Sequence, residues 1–209
     1  FEKTGVRVRY QPRGSRGGVD AVKAGTVDFG ATDIPLSDRE LASHGLLQFP
    51  VVIGGVVPVY NLPGIAPGAL RLSAELLAGI YLGRITRWDD PALRAVNPGL
   101  RLPAREIVAI QQPNTSGTSW LFRRYLARAP AWRARRTPRR CVPARDNQQA
   151  ASFVGRFKHT LGYVEFSYAV KRKLSWARLL TGARVHRVPG RAAFDAAVAR
   201  GSWSGEGPS

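Results

Sequence analysis

The sequence predicts an α/β protein built on a parallel sheet, and three observations lead there. The first fifty residues read strand, glycine-rich loop, helix, strand, turn, helix, an alternation that lays helices over parallel strands. The same order returns over 106–127, where an alternating run leads through a polar turn into a helix. The chain has 209 residues, 44% of them hydrophobic, which is enough to bury one large core or two small ones.

Each element has a local reason. Over 6–11, Val6, Val8 and Tyr10 alternate with Arg7, Arg9 and Gln11, the pattern of a half-buried strand. A glycine turn over 12–18 leads to a helix over 19–24, with Gly25 as its C′ residue. Residues 27–31 read as a short apolar strand that turns through Thr32, Asp33 and Pro35. Ser37 and Glu40 form a capping box for a helix over 37–44. Residues 47–62 read as buried strands and a crossing between domains; the longest apolar run, 49–62, is broken by Pro50, Gly54, Gly55 and Pro58. It falls short of the roughly 20 residues of a membrane-spanning helix.

A helix over 73–81 carries Leu76, Leu77, Ile80 and Tyr81 on one side, and Asp89-Asp90-Pro91 opens another. A strand over 106–112 passes through the turn 113–118 into a helix over 119–127. Apolar periodicity then vanishes over 128–146, which reads as a solvated, irregular stretch. Order returns as a helix over 148–157, a strand over 161–166, helices over 168–173 and 192–200, and a polar tail over 202–209.

The formal net charge is +18, which invites a nucleic-acid reading. The densest block lies within 123–145, with Arg133, Arg135, Arg136, Arg139 and Arg140 near Trp132. No zinc-finger, RNA-recognition or helix-turn-helix signature accompanies it, and an Ala, Gly, Pro and Arg bias also follows from a GC-rich genome. Nucleic acid is therefore not the expected partner. No catalytic residue is expected either: Ser15 and Ser116 lie outside any G-x-S-x-G elbow, and His44, His159 and His186 have no motif around them. His44 reads as a helix C-terminal dipole contact. No metal site and no cofactor are expected. Cys141 is the single cysteine, so an intramolecular disulfide is excluded. The chain opens at Phe1 and contains no Met, the expectation being a mature product or a fragment.

Two loops share one physical logic. Gly14-Ser15-Arg16-Gly17-Gly18 and Thr115-Ser116-Gly117-Thr118 each follow a strand and open a helix. Unpaired amides and a positive dipole end there suit an oxyanion, although Ser and Thr are also favoured as simple caps. Asp33 stands at the carboxyl end of its predicted strand, where α/β proteins bind ligands, and equally where Asp stabilises a turn. A carboxylate facing an oxyanion demands a ligand proton. Hydrogen phosphate supplies one; sulfate at neutral pH does not.

The segments 10–18 and 26–37 resemble the phosphate-binding proteins of bacterial high-affinity phosphate ABC importers. The resemblance continues through 48–57 and 80–90, Ser116-Gly117-Thr118-Ser119, and Leu161-Gly162-Tyr163-Val164-Glu165-Phe166. It implies a type II periplasmic-binding-protein-like α/β fold, two lobes with mixed sheets flanked by helices. Residues 1–52 would form a partial first lobe, and 53–209 the second lobe plus the start of a return segment, with an irregular Arg-rich insert at 128–146.

It further implies a non-catalytic, monomeric, periplasmic or extracytoplasmic transport component that binds inorganic phosphate and delivers it to membrane permease subunits. The implied phosphate ligands are Ser15, Asp33, Ser116, Gly117 and Thr118. The departures are local. Gln112 stands where the family has Arg, Asn114 where it has Asp, and Thr115 where it has Gly. Arg13, Arg16, Gln112 and Asn114 would then be candidate auxiliary contacts, with Arg13 or Arg16 partly compensating for the lost Arg. The family's first strand with its Gly-Ala-Gly-Ala-Thr-Phe-like loop, and its return beyond 202–203, have no counterpart, so weak or absent phosphate binding is expected of these residues alone.

Overall fold

The computed structural model describes residues 5–134, 141–180 and 186–200. Helices α1 (Gly14–Lys23) and α2 (Asp38–Ser43) precede β1 (Val56–Asn61). Then come β2 (Arg71–Leu72), α3 (Ala74–Tyr81), α4 (Pro91–Val96), β3 (Val108–Gln111), α5 (Gly117–Leu126), α6 (Pro130–Arg133) and β4 (Val142–Pro143). The described chain continues through α7 (Asn147–Arg156), β5 (Thr160–Glu165), α8 (Phe166–Lys171), β6 (Ser175–Trp176), β7 (Arg178–Leu180), β8 (His186–Arg187) and α9 (Arg191–Arg200).

The main sheet runs in the order β4-β3-β5-β1-β6. Strand β3 is parallel to both β4 and β5, whereas β1 runs antiparallel to β5 and β6. A smaller sheet has the order β2-β7-β8. The main sheet is mixed, and both of its faces are covered. On one face, Tyr60, Leu161 and Tyr163 pack with Leu77, Ile80, Trp88, Phe122 and Leu126. On the other, Val57, Val59, Ile110 and Val164 pack with Ala150, Ala151, Val154 and Ala169. Burial on both sides explains why β1 and β5 read as continuous apolar runs rather than as alternating ones.

Helix starts match the sequence logic closely. Ser37, Ser73, Asp90, Ser116 and Asp146 each accept a backbone N–H from the first turn of the helix they precede, satisfying donors that would otherwise be orphaned. Glu40 pairs with Lys23 of α1, and that ion pair holds its carboxyl below the usual range.

Four expectations change. Residues 6–11 and 27–31 join neither sheet, and Tyr10 and Phe29 are 72% and 62% exposed. Alternation marks a sequence able to form a strand; the strand itself needs a neighbouring backbone to complete its hydrogen bonds. Second, the buried run expected over 47–62 begins only at β1, and Leu47, Phe49, Val51 and Val52 before it are exposed. Third, α1 starts at Gly14 rather than at 19. Gly17 and Gly18 are poor helix formers, but a Cβ on Gly18 would lie 2.7 Å from the Ala31 carbonyl oxygen. Close backbone packing against residues 30–31 overrides the propensity. Fourth, the Arg-rich stretch 128–146 is partly regular: α6 buries Trp132, and β4 joins the main sheet. Arg135, Arg136, Arg139 and Arg140 lie outside the described residues, as does the tail over 202–209.

Trp88 tests the larger core. It is fully buried, and its indole N–H donates to the His159 carbonyl at 3.0 Å. Trp88→Ala should cost about 3–5 kcal/mol, measured as a lowered urea midpoint with the slope unchanged.

Candidate anion-binding site

Strands β3, β4 and β5 run parallel, so their carboxyl ends open on the same edge of the sheet. Gln112 follows β3, Asn147 opens α7 after β4, and Glu165 ends β5. Ligands in open α/β sheets sit at such an edge. The loop from Gln112 to Ser116 carries the chain from β3 into α5. Gly117 and Thr118 form the first turn of that helix, where amides point outward without intrahelical partners.

The expected residues meet here from two distant parts of the chain. Ser15, in the first turn of α1, is 6% exposed, and its Oγ accepts the Asp33 N–H at 3.1 Å. The Arg16 N–H reaches the Thr115 carbonyl at 3.4 Å, tying the start of α1 to the loop before α5. Gly117 closes the arrangement. A Cβ there would collide with Ser15 Oγ and the Asp33 carboxylate, and would lie 2.6 Å from the Asp33 Cβ. Ser15, Asp33 and Gly117 are therefore in contact, with Ser116 and Thr118 on either side of Gly117.

Asp33 as a residue stays exposed, but its carboxylate faces Gly117. Partial withdrawal from water pushes its pKa up. The Ser15 hydroxyl pulls it back down, and the negative charge of Glu165 raises it again. Its position departs from the expected one in a single respect: no strand precedes it. The turn that aims it is held by Thr32, whose Oγ accepts the Ile34 N–H at 3.0 Å.

Beneath the loop lies an amide network. Gln112 is 2% exposed. Its Nε2 donates to Asn147 Oδ1 and to the Tyr163 carbonyl, both at 2.9 Å. Its Oε1 accepts from Ser116 Oγ at 3.2 Å. Asn147 Oδ1 also accepts the Glu165 N–H at 3.0 Å, and Asn147 Nδ2 donates to Thr118 Oγ1 at 3.0 Å. The Tyr163 hydroxyl takes the Gln112 N–H at 3.1 Å and lies 2.8 Å from Ser119 Oγ.

The auxiliary residues divide. Gln112 is structural support for the loop. Asn114 is exposed and accepts from Arg123 at 3.0 Å. The Arg13 guanidinium is held by Gln11. Arg16 is solvent-exposed on α1. A cavity of about 550 Å³ opens on the outer flank, lined by Gln112, Asn114, Cys141, Arg145 and Gln149, and includes none of Ser15, Asp33 or Ser116.

Asn147 and Glu165 were not singled out as site residues by sequence reasoning. Glu165 carried the same signal as Asp33, a carboxylate ending an apolar strand. Asn147 carried little, because the two-residue strand before it is buried in an arginine- and proline-rich stretch. Among the described residues, no group of His, Cys, Asp and Glu could hold a metal ion. No described helix is long and apolar enough to cross a membrane.

Comparison with known proteins gives the family and the fold. A family model described as a PBP superfamily domain matches residues 1–192. The chain belongs to the PBP superfamily. It is 42% identical over 211 aligned residues to the phosphate-binding protein PstS of Haemophilus influenzae, which covers 97% of this chain and 63% of that protein. It is 41% identical to the PstS of Xylella fastidiosa, covering 96% of this chain and 57% of that one. The chain thus spans about three fifths of the length of these relatives.

Among solved structures, a Clostridium perfringens protein assigned as a phosphate ABC transporter substrate-binding protein, with bound phosphate, superposes with a TM-score of 0.68 at 19% identity. That match covers 85% of this chain and 66% of that one. A phosphate-binding protein from Stenotrophomonas maltophilia gives 0.59 at 20% identity, covering 87% and 63%. These likenesses show a PBP-type fold: a mixed sheet with helices on both faces.

In this PBP-superfamily chain, the raised Asp33 pKa carries a stability consequence. The native protein keeps the Asp33 proton to a higher pH than the unfolded chain, so stability falls as pH rises from the ordinary value of 3.8 through the raised native value. Asp33→Asn removes this penalty. The variant should melt above the parent at neutral pH, and the difference should vanish below pH 3.8, as measured by thermal denaturation across pH.

Proposed function

We propose that this chain binds inorganic phosphate, without catalysis, as the substrate-binding component of an ABC importer. The observation that carries the reading is the contact of Ser15, Asp33 and Gly117 at the start of α5. There, outward amides and hydroxyls meet one carboxylate. Amides of the first turn and the Thr118 hydroxyl would donate to the phosphate oxygens. Asp33 would accept the proton that a phosphate carries and a sulfate lacks. The names of the curated relatives, phosphate-binding proteins all, support the same ligand.

On this reading, Ser15, Asp33, Ser116, Gly117 and Thr118 hold the ion. Residues 1–52 belong to one lobe and the rest mainly to the second, closing on phosphate as a monomer outside the cytoplasm and delivering it to membrane permease subunits. Gln112 brings neither charge nor a free donor to the site, because a carboxamide is neutral and both hydrogens of its nitrogen are used inward. Binding is accordingly expected to be weak. Arg16 is the arginine on α1 still placed to assist, and Arg16→Ala with unchanged affinity would exclude that help.

Titration calorimetry should give saturable heat with phosphate and none with sulfate at neutral pH. Asp33→Ala should abolish binding. Gly117→Ala, whose added methyl displaces Ser15 and Asp33, should weaken it about tenfold or more, or about 1.4 kcal/mol. A flat trace at millimolar phosphate, or equal heat from sulfate, would overturn the reading.

A further inference from the structure

The two hydroxyls flanking Gly117 are not equivalent, and the amides beneath them decide where each hydrogen goes. The Tyr163 carbonyl oxygen can only accept. The Gln112 atom 2.9 Å from it is therefore Nε2, whose other hydrogen goes to Asn147 Oδ1 at 2.9 Å. Gln112 Oε1 is then the atom 3.2 Å from Ser116 Oγ. A carbonyl oxygen carries no hydrogen, so Ser116 must donate to it. Asn147 is fixed in the same way. Its Oδ1 receives Gln112 Nε2 and the Glu165 N–H, leaving Nδ2 to donate to Thr118 Oγ1 at 3.0 Å. Thr118 therefore accepts from below and keeps its own hydrogen for an anion. Ser116 has committed its hydrogen to Gln112. One of its lone pairs takes the Ser119 N–H at 3.4 Å, and the other remains.

The charges around the loop match this polarity. Asp33 touches Gly117, and Glu165 acts on Asp33 from the end of β5. Several neighbouring cations are engaged elsewhere: Arg13 with Gln11, Lys23 with Glu40, Arg123 with Asn114, Arg124 over Trp120 and Arg145 with Asp146. Arg16 and Asp20 on α1, Arg156 on α7, Lys171 on α8, and Asp28 and Asp38 are further charged groups of the described segments around the loop. No histidine belongs to them.

We propose that Gln112, acting as a positioning residue, turns Ser116 into a hydrogen-bond acceptor for bound phosphate, so that the site selects the doubly protonated monoanion over the dianion. This rests on the phosphate reading and adds which ionic form is bound. Two acceptors, Asp33 and Ser116, match two ligand hydrogens. A dianion has one hydrogen and would leave the Ser116 lone pair facing an oxygen lone pair, an uncompensated contact. Its second charge would also face Asp33 and Glu165 across a partly dry site.

The test is calorimetry with inorganic phosphate from mildly acid to mildly alkaline pH, in pairs of buffers with different ionisation enthalpies. As pH rises through the second ionisation of phosphate, the competent fraction of ligand shrinks. The apparent Kd should then rise towards about tenfold per pH unit, with close to one proton taken up per phosphate bound. Protonation of Asp33 should add a separate loss on the acid side. Ser116→Ala should flatten the alkaline limb, because the dianion then meets no idle acceptor. Thr118→Val should weaken binding at every pH and leave that limb as steep as in the parent. Gln112→Arg, with donors only, should reverse the preference. Should it fail to fold, Ser116→Ala still decides. A pH-independent parent affinity, or a Ser116→Ala variant as steep as the parent, overturns the inference while leaving phosphate binding intact. No phosphate binding at any pH removes both.

Discussion

The arrangement at the head of α5 depends on the missing side chain of Gly117. Ser15 and the Asp33 carboxylate occupy the volume that a methyl group would need. Their approach is what brings α1 and the 26–38 stretch against the second loop. Two further glycines serve the same end. Gly18 and Gly30 let the backbone of α1 lie directly on the segment that presents Asp33; a Cβ on Gly30 would stand 2.5 Å from the Gly18 carbonyl oxygen. Helix propensity is sacrificed at Gly17 and Gly18, about 1 kcal/mol each relative to Ala. The gain is positional: a carboxylate 84 residues away in sequence from Gly117 is delivered to its surface.

The loop itself is supported by the hydrophobic core. Phe122 of α5 stacks on Tyr163 of β5 with ring centroids 4.0 Å apart, and Tyr81 of α3 meets both edge-on at 5.1 and 5.9 Å. The Tyr81 hydroxyl donates to the Ile110 carbonyl at 3.0 Å, and burial drives its pKa well upward, so it stays a neutral donor. Tyr163 bridges the two regimes: its ring belongs to the apolar cluster, and its hydroxyl and carbonyl anchor Gln112. A buried polar network is stable only when every member is satisfied. Here the backbone of β5 supplies the fixed acceptor and the fixed donor from which the other orientations follow.

Elements that make their own local case were legible in the sequence. Ser37, Asp90 and Ser116 announced helix starts because caps act within a few residues, and α3 was legible from its apolar spacing. The 14–18 and 115–118 loops and Asp33 stood out in the sequence because glycine, hydroxyl and carboxylate chemistry is local, and the structure brings them into contact. What needed a partner was not. The alternation of Val6, Val8 and Tyr10 promised a strand, but pairing is a property of two segments, and these residues join neither sheet. Strand β4 has only two residues, and its parallel partner β3 lies some thirty residues away. Asn147 inherits that obscurity, since its importance lies in bridging Gln112, Thr118 and Glu165 across three strand ends. Gln112 stood out only as a departure from a resembling family; its burial and hydrogen bonding give it a positive structural role.

The net charge of +18 and the chemistry of the site answer different questions. A surplus of arginine raises the local concentration of every anion alike, and added salt screens that attraction. It cannot tell phosphate from sulfate. Discrimination needs a group that repels the wrong ligand, and beside Gly117 stand the Asp33 carboxylate and, next in the chain, Ser116, whose hydrogen is already committed to Gln112. On the phosphate reading, Asp33 would discriminate only while ionised, which sets its raised pKa against that reading. The Ser15 hydroxyl opposes the rise. On that reading capture and recognition are separable: the first should weaken with ionic strength, and the second should follow the protons on Asp33 and on the ligand.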